Sequence, residues 1–335
     1  MDFAGEGMQP KIKYDRPRVL VVAAIGALLV AVAENASYAQ KAETDSARDA
    51  RHDKEAASLA KESQNPVANM VSLPLQYNYY ANGGLGTASE MVLNVQPVLP
   101  LPIGKNWLVV SRTIVPFVSI PLPDVIPGSV NPLARPQFGG IADIQEQAYL
   151  TSSKPGKWTW AVGPILSFPT ATNRLARTGQ WGLGPTAVAL TMPGPWVIGT
   201  LVNNVWRIGG SSNGHELNTF TLQPFINYNL AHAWAISTAP LITSDWSAPE
   251  GNRWTVPIGA GVSKIAHIGD QPMNFILQYY HNVSHPDLAG SNQLRLEVAA
   301  LWPTAAAMAQ RKKEEEMAKA KAKAAERKTR QGSSP

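Results

Sequence analysis

The sequence predicts an all-β fold: a single-chain antiparallel transmembrane β-barrel of about 12 strands, with charged N- and C-terminal extensions. Three observations carry that expectation. Apolar and polar residues alternate with period two through much of residues 68–302, the pattern of strands whose two faces meet different surroundings. Tryptophans recur at the same end of successive strands. Charge is sparse in the middle: residues 68–302 hold 11 Lys/Arg and 10 Asp/Glu, against 29 and 24 in all 335 residues. At 16% charged, the chain lies well below the ~25% of a soluble globular protein.

The N-terminus has the form of an export signal over residues 1–39. Lys11, Lys13, Arg16 and Arg18 precede an apolar run of 15 residues from Val19 to Ala33. A bilayer-spanning helix needs ~20 residues. Ser37-Tyr38-Ala39 then offers small residues at the two positions a signal peptidase reads, so cleavage is expected after Ala39. Residues 40–67 follow as a charged, Ala-rich spacer with five basic and six acidic groups. It is expected to be a solvated helix or disordered, and not part of a core.

The barrel is expected over residues 68–302. Val71, Leu73, Leu75, Tyr77 and Tyr79 alternate with Ser72, Gln76 and Asn78; Leu294, Leu296 and Val298 alternate with Arg295 and Glu297. Twelve such segments begin near residues 70, 90, 107, 140, 158, 180, 196, 217, 234, 253, 272 and 293. Single-chain bacterial outer-membrane barrels have an even number of strands. Trp107, Trp158, Trp196 and Trp234 each open a strand after a short connection, and Trp302 closes the last segment. Indole prefers the headgroup zone, so these five make one interface girdle. Trp181, Trp206, Trp246, Trp254 and Tyr280 are expected in a second. Short turns follow even-numbered segments and longer Gly/Pro/Asn-rich loops follow odd ones, as periplasmic turns and external loops do. Pro97, Pro116, Pro164, Pro185, Pro224 and Pro257 fall inside segments, where each removes a ladder hydrogen bond, so they are expected at strand ends or bulges.

Several phrases carry a family resemblance across most of residues 70–303: Val110-Ser111-Arg112-Thr113-Ile114, Phe168-Pro169-Thr170-Ala171-Thr172, Gly179-Gln180-Trp181-Gly182-Leu183-Gly184-Pro185, Leu222-Gln223-Pro224-Phe225-Ile226 and Trp254-Thr255-Val256-Pro257-Ile258. In this order they resemble the bacterial outer-membrane family labelled putative MetA-pathway of phenol degradation. The resemblance implies a barrel in the outer membrane of a Gram-negative bacterium, in a transport or catabolic setting, for small aromatic or other hydrophobic compounds.

Chemistry is sparse. Zero cysteines exclude a disulfide framework, thiol catalysis and cysteine zinc sites. His281 and His285 are four apart in a loop without the glutamate of a zinc-protease helix, and Asn82-Gly83-Gly84 is a turn with no helix after it, so neither a metal nor a nucleotide cofactor is expected. Ser211, Ser212 and His215 share a loop but lack a nucleophile-elbow pattern. The chain is expected to be no enzyme. Asn94, Gln96, Asp143, Gln145, Gln147, Gln223, Asn227, Arg295 and Glu297 fall on the polar face and are expected to line an interior; Arg112 and Arg207 fit neither face clearly. Twelve strands enclose more space than the ~8-stranded barrels that side chains can fill. A passive channel for small solutes is therefore expected, with a structural, envelope-tethering barrel of blocked lumen as the alternative. Residues 303–335 carry nine Lys/Arg and four Glu, which accounts for the whole formal +5. Such a run is a solvated arm. Its expected partner is the cell wall rather than nucleic acid, and the barrel's partners are outer-membrane lipid and a small-molecule solute.

Overall fold

The computed structural model describes residues 55–309, apart from 82–88, 122–136, 155, 173–175, 212–214, 288 and 306–307. The export signal, the 82–86 turn and nearly all of the basic tail lie outside the described residues. Fifteen strand segments form one antiparallel sheet: β1 (Met70–Ala81), β2 (Glu90–Val95), β3 (Val98–Ile103), β4 (Trp107–Pro121), β5 (Gln137–Ile141), β6 (Ile144–Ser152), β7 (Trp158–Phe168), β8 (Gln180–Thr191), β9 (Trp196–Gly210), β10 (Asn218–Asn229), β11 (Trp234–Thr238), β12 (Ile242–Asp245), β13 (Trp254–Ile268), β14 (Gln271–Ser284) and β15 (Asn292–Pro303). β2 with β3, β5 with β6, and β11 with β12 are each two halves of one stave, interrupted at residues 96–97, 142–143 and 239–241. That makes twelve staves. β15 pairs with β1 from Met70↔Pro303 to Ala81↔Asn292, and the ring closes with no free edge. No described helix is long and apolar enough to cross a membrane; the strands do that work.

Directly opposed residues in an antiparallel pair share a face, so the register fixes which side chains point inward. Gln76↔Glu297 and Gln76↔Asn94 face the lumen, while Tyr77↔Leu296 and Leu75↔Val95 face out. Trp107, Trp158, Trp196, Trp234 and Trp302 are all outward at the short-turn end, exposed by 40 to 65%. Trp160 joins them one pleat further in, its ring edge-on to Trp107 at 6.2 Å. At the long-loop end Trp181, Trp206, Trp246 and Trp254 are outward, and Trp254 stands edge-on to both Phe220 and Trp246, which are tilted to one another. Tyr280 is not part of that girdle. It points into the lumen, is fully buried, and its hydroxyl accepts from the Ala239 amide at 2.9 Å. The outer face has one carboxylate of note: Glu146, opposite Thr113 and Leu166, accepts from the hydroxyls of Ser111 and Thr113 at 2.6 Å each.

The prolines depart from expectation in a regular way. Pro97 lies in the β2–β3 interruption and Pro257 at a register shift, as expected. Pro116, Pro164, Pro185 and Pro224 instead sit well inside β4, β7, β8 and β10. Each lies where the neighbouring ladder is already broken. Pro116 meets the β5–β6 interruption, Pro224 meets the β11–β12 interruption, and Pro164 and Pro185, opposite one another, meet gaps in β6–β7 and β8–β9 pairing. A missing N–H removes no ladder bond there. Gly163 and Gly184 precede two of these prolines because a neighbouring strand dips into their side-chain space. A Cβ on Gly163 would lie 1.7 Å from the Ala148 carbonyl oxygen, and one on Gly184 1.6 Å from that of Asn204. Gly163→Ala and Gly184→Ala are each expected to destabilise the barrel by ~1–3 kcal/mol through overpacking. Gly209→Ala, with nothing within 4 Å, is expected to leave the urea midpoint unchanged. Equal midpoints for all three would remove this account of the Gly-Pro pairs.

Of the spacer, residues 40–54 lie outside the described residues, and the described part is a helix, one of the two expected forms, but docked rather than solvated. Residues 55–63 are helical, and Ala56, Leu59 and Ala60 are buried against Ala68, Met70, Ala233, Ile265, Ala299 and Leu301. The apolar residues fall at i, i+3 and i+4, one face of a helix. That face closes the short-turn end of the barrel. Lys61 Nζ donates to the Gly194 carbonyl, Gln64 and Asn229 exchange hydrogen bonds of 3.0 and 3.1 Å, and His267 Nε2 lies 3.9 Å from Glu55 Oε2.

Candidate functional site: the lumen

Two chemically different walls face each other inside. From β4 round to β10 the inward residues near the short-turn end are largely apolar: Leu108, Val110, Tyr149, Ala161, Val188, Leu190, Val197, Leu201 and Phe225 pack with Val67 of the N-terminal segment. The other wall, from β11 through β15 and β1 to β4, carries a connected polar belt. Arg112 Nη2 donates to Gln96 Oε1; Asn94 and Asn78 donate to Gln76 Oε1 at 3.5 and 3.3 Å; Gln76 Nε2 donates to Glu297 at 2.9 Å. Arg295 donates through Nε to Asn78 Oδ1 at 3.1 Å and through Nη1 to the Ala239 carbonyl at 2.9 Å, and it lies over the Tyr280 ring at 5.1 Å. Gln278 extends the belt to Ser237 at 3.0 Å. The wall interruptions feed this belt. Gln96 is itself an interruption residue, and Ala239, freed from the ladder, supplies a carbonyl to Arg295 and Gln223.

Among the described residues, two cavities lie between the walls, of about 180 Å³ toward the short turns and about 250 Å³ toward the long loops. Gln76, Gln96, Arg112, Leu201, Gln223 and Arg295 line both, so they mark the level where the two meet. Asn227 and Glu297 line the lower cavity; Asn94, Asp143, Gln145 and Gln147 line the upper one. Arg112, which alternation left unassigned, is inward and central. Counting from outward Trp107 places it inside, five residues on. Arg207 is also inward but sits at the loop end, paired with Glu216 at 3.0 Å.

Asp143 has a second task. Its carboxylate accepts from the amides of Ala171 and Thr178, both at 3.0 Å, and from the Thr178 hydroxyl. It therefore ties the β7–β8 loop to the barrel wall, so an amide at this position does more than change lumen charge. Hydrogen bonds to a charged acceptor contribute ~1.5–3 kcal/mol against ~0.5–1.5 for neutral ones. Asp143→Asn is expected to loosen the loop and speed trypsin cleavage after Arg177 several-fold; an unchanged cleavage rate would contradict this role.

The loop residues raised by the sequence make local contacts. His215 Nε2 lies 2.7 Å from Asp245 Oδ2, His281 bonds Asn292, and His285 bonds the Pro286 carbonyl. Ser212 lies outside the described residues.

No protein-family model and no curated protein matches the sequence. Solved structures do match in shape. An outer-membrane channel from Pseudomonas putida F1 superposes with a TM-score of 0.51 at 13% identity, over 70% of this chain and 95% of that one. The NanC porin matches at a TM-score of 0.41 and 10% identity, over 69% and 98%. The CymD monoaromatic hydrocarbon channel matches at 0.39 and 12%, over 74% and 90%. At these identities the likeness is one of fold, and it agrees with the closed ring of strands and its apolar, girdled exterior. This chain is an outer-membrane β-barrel of a Gram-negative bacterium.

Proposed function

We propose that the chain is an outer-membrane channel for passive passage of small solutes. The supporting observation is the pair of cavities that share six side chains and run from the N-terminal segment to the level of Asp143. Near the short turns one wall is largely apolar and the other polar, which suits compounds with a hydrophobic body, in keeping with the aromatic or hydrophobic solutes of the family the sequence resembles. The test is single-channel recording of the refolded protein with and without residues 40–67 and with and without residues 303–335. Removal of 40–67 is expected to open a conducting state, and removal of the tail to leave conductance unchanged.

A second reading has its own support. Ser63, Gln64, Asn65 and Pro66 form the floor of the lower cavity, which favours a blocked barrel that serves the envelope as a structural element. On that reading neither truncated form conducts.

A further inference from the structure

We infer that the junction of the two cavities is a binding site for a small organic acid, its acid group held by Arg112 and Arg295 and its apolar body against Leu201 and Phe225. This rests on the channel reading for its purpose but not for its chemistry.

A guanidinium taken out of water is costly unless an anion or a full set of acceptors accompanies it. Arg295 is only 3% exposed, yet every partner it has among the described residues is neutral: Asn78, Gln278, the Ala239 carbonyl and the face of Tyr280. Those bonds use Nε and Nη1, and among the described residues Nη2 has no acceptor. Arg112 has one side-chain acceptor, the amide of Gln96. Neither arginine lies within ion-pair distance of a described carboxylate, although two carboxylates line the cavities. Glu297 is turned to Gln76, and Asp143 is held by its loop. Each cavity thus holds two guanidiniums against one acid that is engaged elsewhere. The missing partner is an anion from solution.

The neighbours select its form. Arginine presents its donors as a planar fork that matches a carboxylate. The amides of Gln76, Gln96 and Gln223 add donors at the same level without adding charge. Opposite, Leu201 and Phe225 belong to the apolar packing of the other wall, so an inorganic anion would leave that side in contact with nothing better than water. An acid carrying a single ring or a short hydrocarbon chain meets both walls at once.

The test is calorimetric titration of the full refolded protein in detergent with three probes: benzoate, its neutral counterpart benzamide, and acetate. Benzoate is expected to bind at least tenfold more tightly than either. Arg112→Gln, which touches only Gln96 in the belt, is expected to weaken benzoate at least tenfold and to leave benzamide unchanged. Arg112→Lys is expected to fall between the two. Arg295→Gln is expected to match Arg112→Gln, with heat-modifiable mobility showing that each variant still closes its barrel. Equal affinity for benzoate and benzamide, or benzoate binding that survives Arg112→Gln, would overturn the site. Planar-bilayer conductance of the same preparations separates the readings: benzoate binding in a barrel that never conducts removes the channel and keeps the acid site, and conduction without benzoate selectivity does the reverse.

Discussion

Leu296→Lys is expected to abolish efficient barrel assembly, whereas Glu297→Gln, one residue away, is expected to assemble as the natural chain does. Leu296 faces outward in the middle of β15, flanked by Tyr77 on β1 and Leu277 on β14. A lysine there meets hydrocarbon near mid-bilayer, which costs ~2–4 kcal/mol. Because β15 forms the closing seam with β1, that cost falls on the last pairing to be made. Glu297 faces the lumen, where among the described residues its side chain accepts from Gln76, and glutamine still offers an acceptor to it. The yields of heat-modifiable protein after refolding into lipid measure the difference. Comparable yields would mean that the two faces of β15 have been exchanged.

The second large effect is expected from Leu59→Asp. Leu59 is fully buried at the short-turn end, and its neighbours in that cluster are all apolar. Burial of a leucine side chain contributes ~1.5–3 kcal/mol, and an aspartate loses that and adds the cost of an unpaired buried charge. The helix over residues 55–63 is short, and isolated helices under ~12–15 residues are marginal in water, so its order depends on this docking. The substituted segment is therefore expected to leave the mouth. On the channel reading, its conductance should equal that of the chain without residues 40–67, while the mobility of the folded barrel stays the same. Conductance still at the level of the natural chain would show that Leu59 does not hold the segment in place.

These two residues also mark what the sequence makes legible. Leu296 is readable because its strand separates lipid from lumen cleanly, and the same contrast locates all twelve staves. Arg112 is not, because its inward neighbours on β4 are Leu108, Val110 and Ile114, so both faces of that strand are apolar in places. Hydropathy loses its alternation wherever the lumen wall is packed, and only the count from an outward tryptophan recovers the parity. Tyr280 misleads for a related reason: Tyr279 and Tyr280 are adjacent, and one of any such doublet must point inward. Leu59 was hidden by composition. Its stripe of Ala56, Leu59 and Ala60 has helical spacing, but two alanines among many charges give little amplitude. The carboxylate bonds of Asp143 depend on a loop folding back over it, which no local pattern encodes.

The N-terminal segment also carries information about the order of events in biogenesis. Its docking surface is assembled from distant parts of the chain: Ala233 after β10, Ile265 from β13, and Ala299 and Leu301 from β15. The Thr304 hydroxyl, just beyond β15, donates to the Asn69 carbonyl at 3.1 Å. The partners on β15 and just beyond it are not in position beside this segment until the last strand has met the first. Protection of residues 55–69 from protease thus reports a finished ring, and it should appear in step with the final closure rather than with insertion of the early hairpins. The first part of the barrel chain to leave the translocation machinery is, on this geometry, the last to find its place.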